Sequence, residues 1–302
     1  MQLADLGHVR LRYLQRPACR AATGAREHVL LVHGLASNVA LWYFRMAPSL
    51  AAHYHVTMFD LPGHGRSSES SRGYRPADMA SDICQLLDRL GIEQAHLVGH
   101  SFGGAVSMKF AHLYGERVRS VTLIDSRLRQ LQEEMPICEW QHWPAYKDLI
   151  NRHGVDIDER TLDFGVDVLV ALARLRVESP QQCEKLSQAM PVSLLGSGGV
   201  PSARQWLDLI GKPGVREALT YGDNISADDL LQIDKPVAGI YGELSPNIGT
   251  SKLLARVLPQ ARIEVIPQVG HFFVESHPDV IVNAVRRLIS SSTAVPAGAV
   301  VA

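Results

Sequence analysis

The feature that most constrains this chain is the pentapeptide Gly99-His100-Ser101-Phe102-Gly103, because of what flanks it. Before it, AHLVGHS at 95–101 is a short apolar run with the length and composition of a buried strand. After it, FGGAVSMKFAHLYGE at 102–116 fits a helix. A strand that turns into a helix within one residue leaves little room for ordinary backbone geometry. The serine at the bend is expected to be strained, and glycines two residues either side are needed because a larger side chain would strike the neighbouring strand or helix backbone. The Ser101 hydroxyl is thereby held out above a sheet, at the N-terminus of a helix whose dipole favours developing negative charge. Ser101 is therefore the first candidate for a nucleophile.

Such a turn needs a sheet around it, and the chain supplies one. Continuous apolar runs recur as HVLLVHG at 28–34, HVTMFDLPG at 55–63, SVTLIDS at 120–126, PVAGIYGE at 236–243 and ARIEVIPQVG at 261–270. Residues 8–16 alternate apolar and polar side chains in their first half, as an exposed antiparallel strand does. Between the runs, ADMASDICQLLDRLG at 77–91 puts Met79, Ile83, Leu86, Leu87 and Leu90 on one helical face and stops at Gly91. DVIVNAVRRLISS at 279–291 starts a helix just after Pro278. Strand and helix in alternation predict an α/β fold with a mostly parallel central sheet flanked by helices on both faces. The rhythm breaks from 127 to 233, where helical patterns surround a loop-like LLGSGGVPS at 194–202 and no convincing buried strand occurs. The expected organisation is a core of residues 1–126 and 234–290, an inserted helical cap at 127–233, and a disordered tail at 291–302, which carries no charge and no periodicity.

Composition narrows the function classes. The 302 residues exceed one average domain and leave room for that insertion. With 31 acidic against 30 basic side chains the net charge is -1, so no strong field points toward nucleic acid or an anionic membrane. Cys19, Cys84, Cys138 and Cys183 lie far apart with no CxxC pair, which reads as reduced thiols rather than a disulfide framework or a thiolate metal site. The N-terminal MQLADLGHVRLRYLQR places acids and arginines where a secretory signal needs an apolar core, and no run is long enough to span a bilayer. The expected setting is cytoplasmic.

Four motifs carry a resemblance to the α/β-hydrolase superfamily. They are His33-Gly34 after a buried strand with Trp42 eight residues beyond the glycine, Asp60-Leu61-Pro62-Gly63-His64-Gly65-Arg66-Ser67, the GHSFGG elbow at 99–104, and Gly270-His271 near the end. The resemblance spans residues 28 to 290, and the cap is its least recognisable part. It implies a serine nucleophile at 101 with His271, in the loop after the last strand, as the general base. Most relatives place the orienting acid after the penultimate strand in a segment resembling G-x-x-D-P, but this chain reads Gly242-Glu243-Leu244-Ser245-Pro246, so a serine stands where the aspartate would be. A hydroxyl cannot stabilise the imidazolium formed during attack. Asp125, at the end of SVTLIDS, is the preferred replacement, since some relatives, including peptide and polyketide synthase thioesterase domains, carry the acid on the strand after the nucleophile helix. Glu243 is the alternative acid, and absence of any carboxylate is the third. The backbone N–H groups of Leu35 and Phe102 are the expected oxyanion donors.

Other conspicuous residues have plainer readings. His64, Arg66 and Asp60 belong to a tight Gly-rich turn and read as structural. His100 either lines the pocket or packs. Trp140, Trp143, Tyr146 and Trp206, with Met135 nearby, either form an apolar substrate roof or pack helices. HExxH, Walker-type and dinucleotide signatures are missing, so neither metal nor cofactor is implied. The combined expectation is a serine hydrolase cleaving a carboxylic ester or thioester of a small acyl substrate, free or carrier-bound, with no nucleic-acid partner, no membrane insertion and no expectation about oligomeric state. Two readings compete with it: a carbon–carbon bond hydrolase, lactonase or perhydrolase on the same fold, and a slow or non-catalytic small-ligand receptor.

Overall fold

A computed structural model describes residues 2–19, 27–132, 136–160, 164–189, 199–222 and 225–293. The strands are β1 (Gln2–Asp5), β2 (Arg10–Arg16), β3 (His28–Val32), β4 (His55–Phe59), β5 (Ala95–His100), β6 (Val118–Ile124), β7 (Val237–Gly242) and β8 (Arg262–Ile266). They form one sheet in the order β1-β2-β4-β3-β5-β6-β7-β8. β1 pairs with β2, and β2 with β4, in antiparallel fashion, while every pairing from β4 to β8 is parallel. The parallel strands are the continuous apolar runs of the sequence, because a parallel strand with helices on both faces is buried on both.

The alternation of side chains along each strand divides the core into two layers. Leu30, Val32 and Leu97 face one layer, shared with the helices Pro76–Arg89 and Phe102–Leu113 through Met79, Ile83, Leu86, Val106 and Phe110. Val29, Leu31 and Val98 face the other, with the helices Met46–Ala51 and Pro278–Thr293 supplying Met46, Leu50, Ile281 and Val285. The Gly-rich turn behaves as its composition suggests. The buried Asp60 carboxylate accepts the N–H groups of Val39 at 2.8 Å and Arg66 at 2.9 Å and lies 3.4 Å from the Arg12 guanidinium, which ties that turn to β2 and to the loop after β3.

Between β6 and β7 the described regular elements are all helical. The helices Trp143–Arg152, Phe164–Glu178 and Pro180–Ala189 share an apolar cluster of their own, built on Trp140, Trp143, Tyr146, Ile150, Leu172 and Leu186. The helix Val200–Ile210 begins inside the segment expected as a loop, with Pro201 in its first turn, where a missing N–H does no harm. The rest of that segment, 194–198, lies outside the described residues, as does Met135. Two further boundaries differ from expectation. β1 was invisible to patterning, since a four-residue edge strand with one buried side chain, Ala4, has too short a period to register. The last helix continues to Thr293, into the segment read as disordered tail, and 294–302 fall outside the described residues. Among the described residues no helix is long and apolar enough to cross a membrane.

Candidate active site

The parallel strands deliver three polar side chains to one end of the sheet. β5 ends at His100, and Ser101 follows with φ 54° and ψ -124°, a strained conformation of the kind that costs about 1–3 kcal/mol and persists only where its surroundings enforce it. Enforcement comes from both sides: the Ser101 N–H donates to the Ile124 carbonyl of β6 at 2.9 Å, and its own carbonyl accepts from Gly104 N–H at 3.0 Å. The flanking glycines are sterically required, since a Cβ at 99 would strike the Gly103 carbonyl and one at 103 would strike the Val32 carbonyl.

One strand over, Asp125 caps β6 with φ 46° and donates its N–H to Ile240 of β7 at 2.8 Å. Its carboxylate is fully buried. It is held by Gly242 N–H on Oδ1 at 3.2 Å, by the Ser245 hydroxyl on Oδ2 at 2.5 Å, and by His271 Nδ1 on Oδ2 at 2.6 Å. A buried carboxylate needs such donors to replace the water it has lost. The pairing assigns the His271 proton to Nδ1 and leaves Nε2 as the ring nitrogen available to accept. His271 itself lies in the loop after β8. There the stacked ring of His100, 4.9 Å away and inclined by 29°, and the edge of Phe272, 4.7 Å away, fix its plane.

His100 both packs and lines the pocket. Burial, and then the neighbouring His271, push its pKa down to about 3, so the ring stays neutral. Its Nε2–H donates to the His271 carbonyl at 3.2 Å. His33 organises the loop that carries Leu35: Leu61 N–H donates to His33 Nε2 at 3.0 Å, so Nδ1 holds the proton and donates to the Gly34 carbonyl at 2.7 Å. Burial holds the pKa of His33 below the ordinary imidazole range, consistent with that neutral tautomer.

These groups open on a cavity of about 180 Å³. Ser101, His271, Leu35 and Phe102 are on its wall, together with Leu41, Val166, Leu169, Leu219 and Phe272. The remaining sequence candidates separate clearly. Trp140 lines the cavity and stacks on Tyr146 at 5.1 Å. Tyr146 and Trp143 pack inside the helical insertion, where the Trp143 indole donates to Glu159 at 2.9 Å. Trp206 belongs to the main core, 5.8 Å from the ring of His64. Glu243 faces away, its carboxylate accepting Gln268 N–H at 2.9 Å and the Gln268 side-chain amide at 3.2 Å. His64 is buried, bonded to the Pro62 carbonyl at 2.9 Å, and pushed down to about 3 by burial and then by His33. Asn247 was missed by the sequence reading. Its amide donates to the Asp125 carbonyl at 2.9 Å and lies 3.1 Å from His271 Nδ1. A lone asparagine directly after a Ser-Pro carries no motif, and only its nearness to His271 in space reveals it.

The alpha/beta hydrolase fold family matches residues 27–278, and the chain belongs to that family. Among solved structures, the carboxylesterase CesB of Bacillus subtilis superposes with a TM-score of 0.68 at 17% identity, covering 96% of this chain and 91% of that one. The enol-lactonase of Burkholderia xenovorans LB400 gives 0.65 at 18% identity over 96% of this chain and 100% of that one. Likeness at such identity is likeness of fold. In sequence, the dihydrolipoyllysine-residue acetyltransferase component of the acetoin cleaving system of Cupriavidus necator is 41% identical over 123 residues, which is 41% of this chain and 31% of that protein. The chain thus spans under a third of that relative's length.

Proposed function

We propose that the chain is a serine hydrolase that cleaves a carboxylic ester or thioester through an acyl-enzyme. Ser101 Oγ attacks the carbonyl carbon while His271 Nε2 takes its proton, and Asp125 stabilises the imidazolium and holds the ring in that tautomer. The oxyanion of the tetrahedral intermediate is received by the N–H groups of Leu35 and Phe102, the latter at the start of a helix. Collapse breaks the bond to the alcohol or thiol, which leaves with the proton from His271. Water then attacks the acyl-serine by the same route and releases the acid. The observation that carries this reading is the 2.6 Å contact between Asp125 Oδ2 and His271 Nδ1, on the wall of a cavity that Ser101 shares.

The serine at 245 first raised the non-catalytic alternative, because it removed the usual acid. A buried carboxylate on His271 supports hydrolysis instead. The helices of residues 127–233 act in this proposal as a cap that sets acyl size and excludes water, with Trp140, rather than Trp143, Tyr146 or Trp206, as the aromatic that meets substrate. The acetyltransferase relative gives a reason to include carrier-bound thioesters among the substrates.

The test is labelling by a fluorophosphonate probe, followed by turnover of short and long acyl p-nitrophenyl esters, acyl-CoA thioesters, a lactone and a dienoate. Labelling that disappears in Ser101→Ala, with saturable turnover of esters or thioesters, is the expected result. A wild-type protein that binds small ligands yet resists the probe would overturn the proposal in favour of a receptor, and saturable turnover of the dienoate alone would move it to carbon–carbon cleavage.

A further inference from the structure

Position 245 carries a buried hydroxyl that the steps above do not use. Ser245 is fully buried, and its Oγ donates to Asp125 Oδ2, the same oxygen that meets His271 Nδ1. The hydroxyl has little rotational freedom. Asn247 N–H donates into Oγ at 3.1 Å, which leaves the one hydroxyl hydrogen to point at the carboxylate. Asn247 then closes the turn over the pair, with its amide on the Asp125 carbonyl at 2.9 Å. That amide also stands 3.1 Å from His271 Nδ1, a nitrogen whose proton is directed at Asp125 and which therefore cannot accept from it. The contact acts as a stop against ring rotation.

We infer that Ser245 is a positioning residue: its hydroxyl fixes which oxygen of Asp125 faces His271 and draws off part of the charge that this oxygen places on the ring. The other oxygen, Oδ1, has the Gly242 N–H at 3.2 Å, a longer bond than either contact on Oδ2. Without Ser245 the negative charge on Oδ2 would be undivided, and an imidazolium beside it would be better stabilised. A base that holds its proton more firmly is free only at higher pH. The groups that face the ring are Asp125 from the end of β6, neutral His100 from β5, the Phe272 ring beside it and Asn247 from the turn after β7, while Ser101, Arg127 and Arg129 lie on the wall of the same cavity. Ser245 acts on the ring through the first of these.

The kinetic consequence rests on the proposed hydrolase reading, so the decisive measurement does not need turnover. The low-field proton resonance of the His271–Asp125 contact, identified by its loss in His271→Gln and in Asp125→Asn, is compared in the wild type, Ser245→Ala and Ser245→Cys. Cysteine keeps the site filled, with a sulfur somewhat larger than the oxygen it replaces, but donates weakly. A donor role predicts that the resonance moves in both variants. A packing role predicts that Cys behaves as the wild type, and an unmoved resonance in Cys overturns the inference even if Ala fails to fold. For kcat/KM, the acid limb should rise by about half a pH unit in both variants, with kcat down roughly 3–10-fold and KM within about twofold. Lost activity with an unmoved limb also overturns it. If the resonance responds while the wild type resists the fluorophosphonate probe, the hydrolase reading fails and the role of Ser245 stands.

Discussion

The sheet ends and the helical insertion obey different rules. At the sheet ends, Ser101 and Asp125 sit on adjacent parallel strands, each with a positive φ and each pinned by a bond to the next strand, so backbone registry fixes where the side chains go. In the insertion, Trp140, Trp143 and Tyr146 share an apolar cluster, and only Trp140 of the three reaches the cavity. Sheet geometry specifies position residue by residue, whereas helix packing specifies only that an apolar face be covered. Substitutions at the sheet ends should therefore change chemistry, and substitutions in the insertion should change selectivity.

The largest effects test the first half of that contrast. Ser101→Ala is expected to abolish probe labelling and lower kcat by at least about 10³-fold with little change in thermal stability, since alanine keeps the Cβ and the backbone conformation and loses only the hydroxyl. Asp125→Asn keeps the shape but removes the charge and turns one of two accepting oxygens into an NH2 donor, and should lower kcat by roughly 10³–10⁴-fold. Steady-state kinetics beside thermal melts check both. A similar loss from Trp143→Phe, which lies only in the insertion's own cluster, would break the comparison.

Acid should next single out the sheet. Burial pushes His64 and His100 down to about 3 and His96 down to about 4. In the unfolded chain these rings bind protons near the ordinary value of about 6.5. As pH falls below that value the unfolded state gains protons that the folded state refuses, so stability falls from pH 6.5 toward 4, and each such histidine contributes a slope of up to about 1.4 kcal/mol per pH unit. Melting temperature measured across that interval should drop steeply in the wild type and less steeply in His96→Gln. His96 Nδ1 and the Ser120 hydroxyl lie 2.7 Å apart, and a glutamine can keep one bond of that kind. An unchanged slope in His96→Gln would remove this ring from the account.

How much of this was legible beforehand follows the same division. The strands around Ser101 announced themselves because a strand buried on both faces must be apolar throughout, and the elbow announced itself because only glycine fits at 99 and 103. The pairing of Asp125 with His271 was reached by noticing a serine at 245 where a carboxylate was expected, although the hydroxyl's bond to Asp125 was not foreseen. Trp206 illustrates what was not legible. An aromatic at helical spacing reads the same whether its helix faces a ligand or, as here, the main core beside His64. Asn247 acts through a contact that crosses from the turn after β7 to the loop after β8, and no local pattern encodes it.

A moderate effect sharpens the second half of the contrast. Trp140→Ala deletes an indole from the cavity wall and unstacks Tyr146. The enlarged space should favour longer acyl groups, shifting the ratio of kcat/KM for long over short p-nitrophenyl esters by about 10-fold, a change on the scale of one buried methylene in an apolar pocket. kcat for the preferred ester should stay within about threefold, since no reacting atom is touched. An equal loss on all chain lengths would mean that the indole supports the catalytic groups rather than the acyl chain.

The smallest effect isolates what makes the sheet ends special. Glu243 sits just after β7, two residues before Ser245, and was the alternative acid. Its backbone is fixed in the same way, by an N–H bond to Ile266 of β8, yet its exposed carboxylate is spent on the Gln268 main chain and side chain. Glu243→Gln retains an acceptor for the Gln268 N–H and removes one charge from a solvated position, where a charge-assisted bond contributes about 1 kcal/mol or less. Activity should change by less than about twofold and the pH profile should not move. The comparison with Asp125→Asn then holds reaction, neighbourhood and type of substitution constant, and varies only which side of the turn the carboxylate occupies. If Glu243→Gln were as damaging as Asp125→Asn, the buried contact at His271 would not be the one that orients the base, and registry at the strand ends would not be what selects the acid.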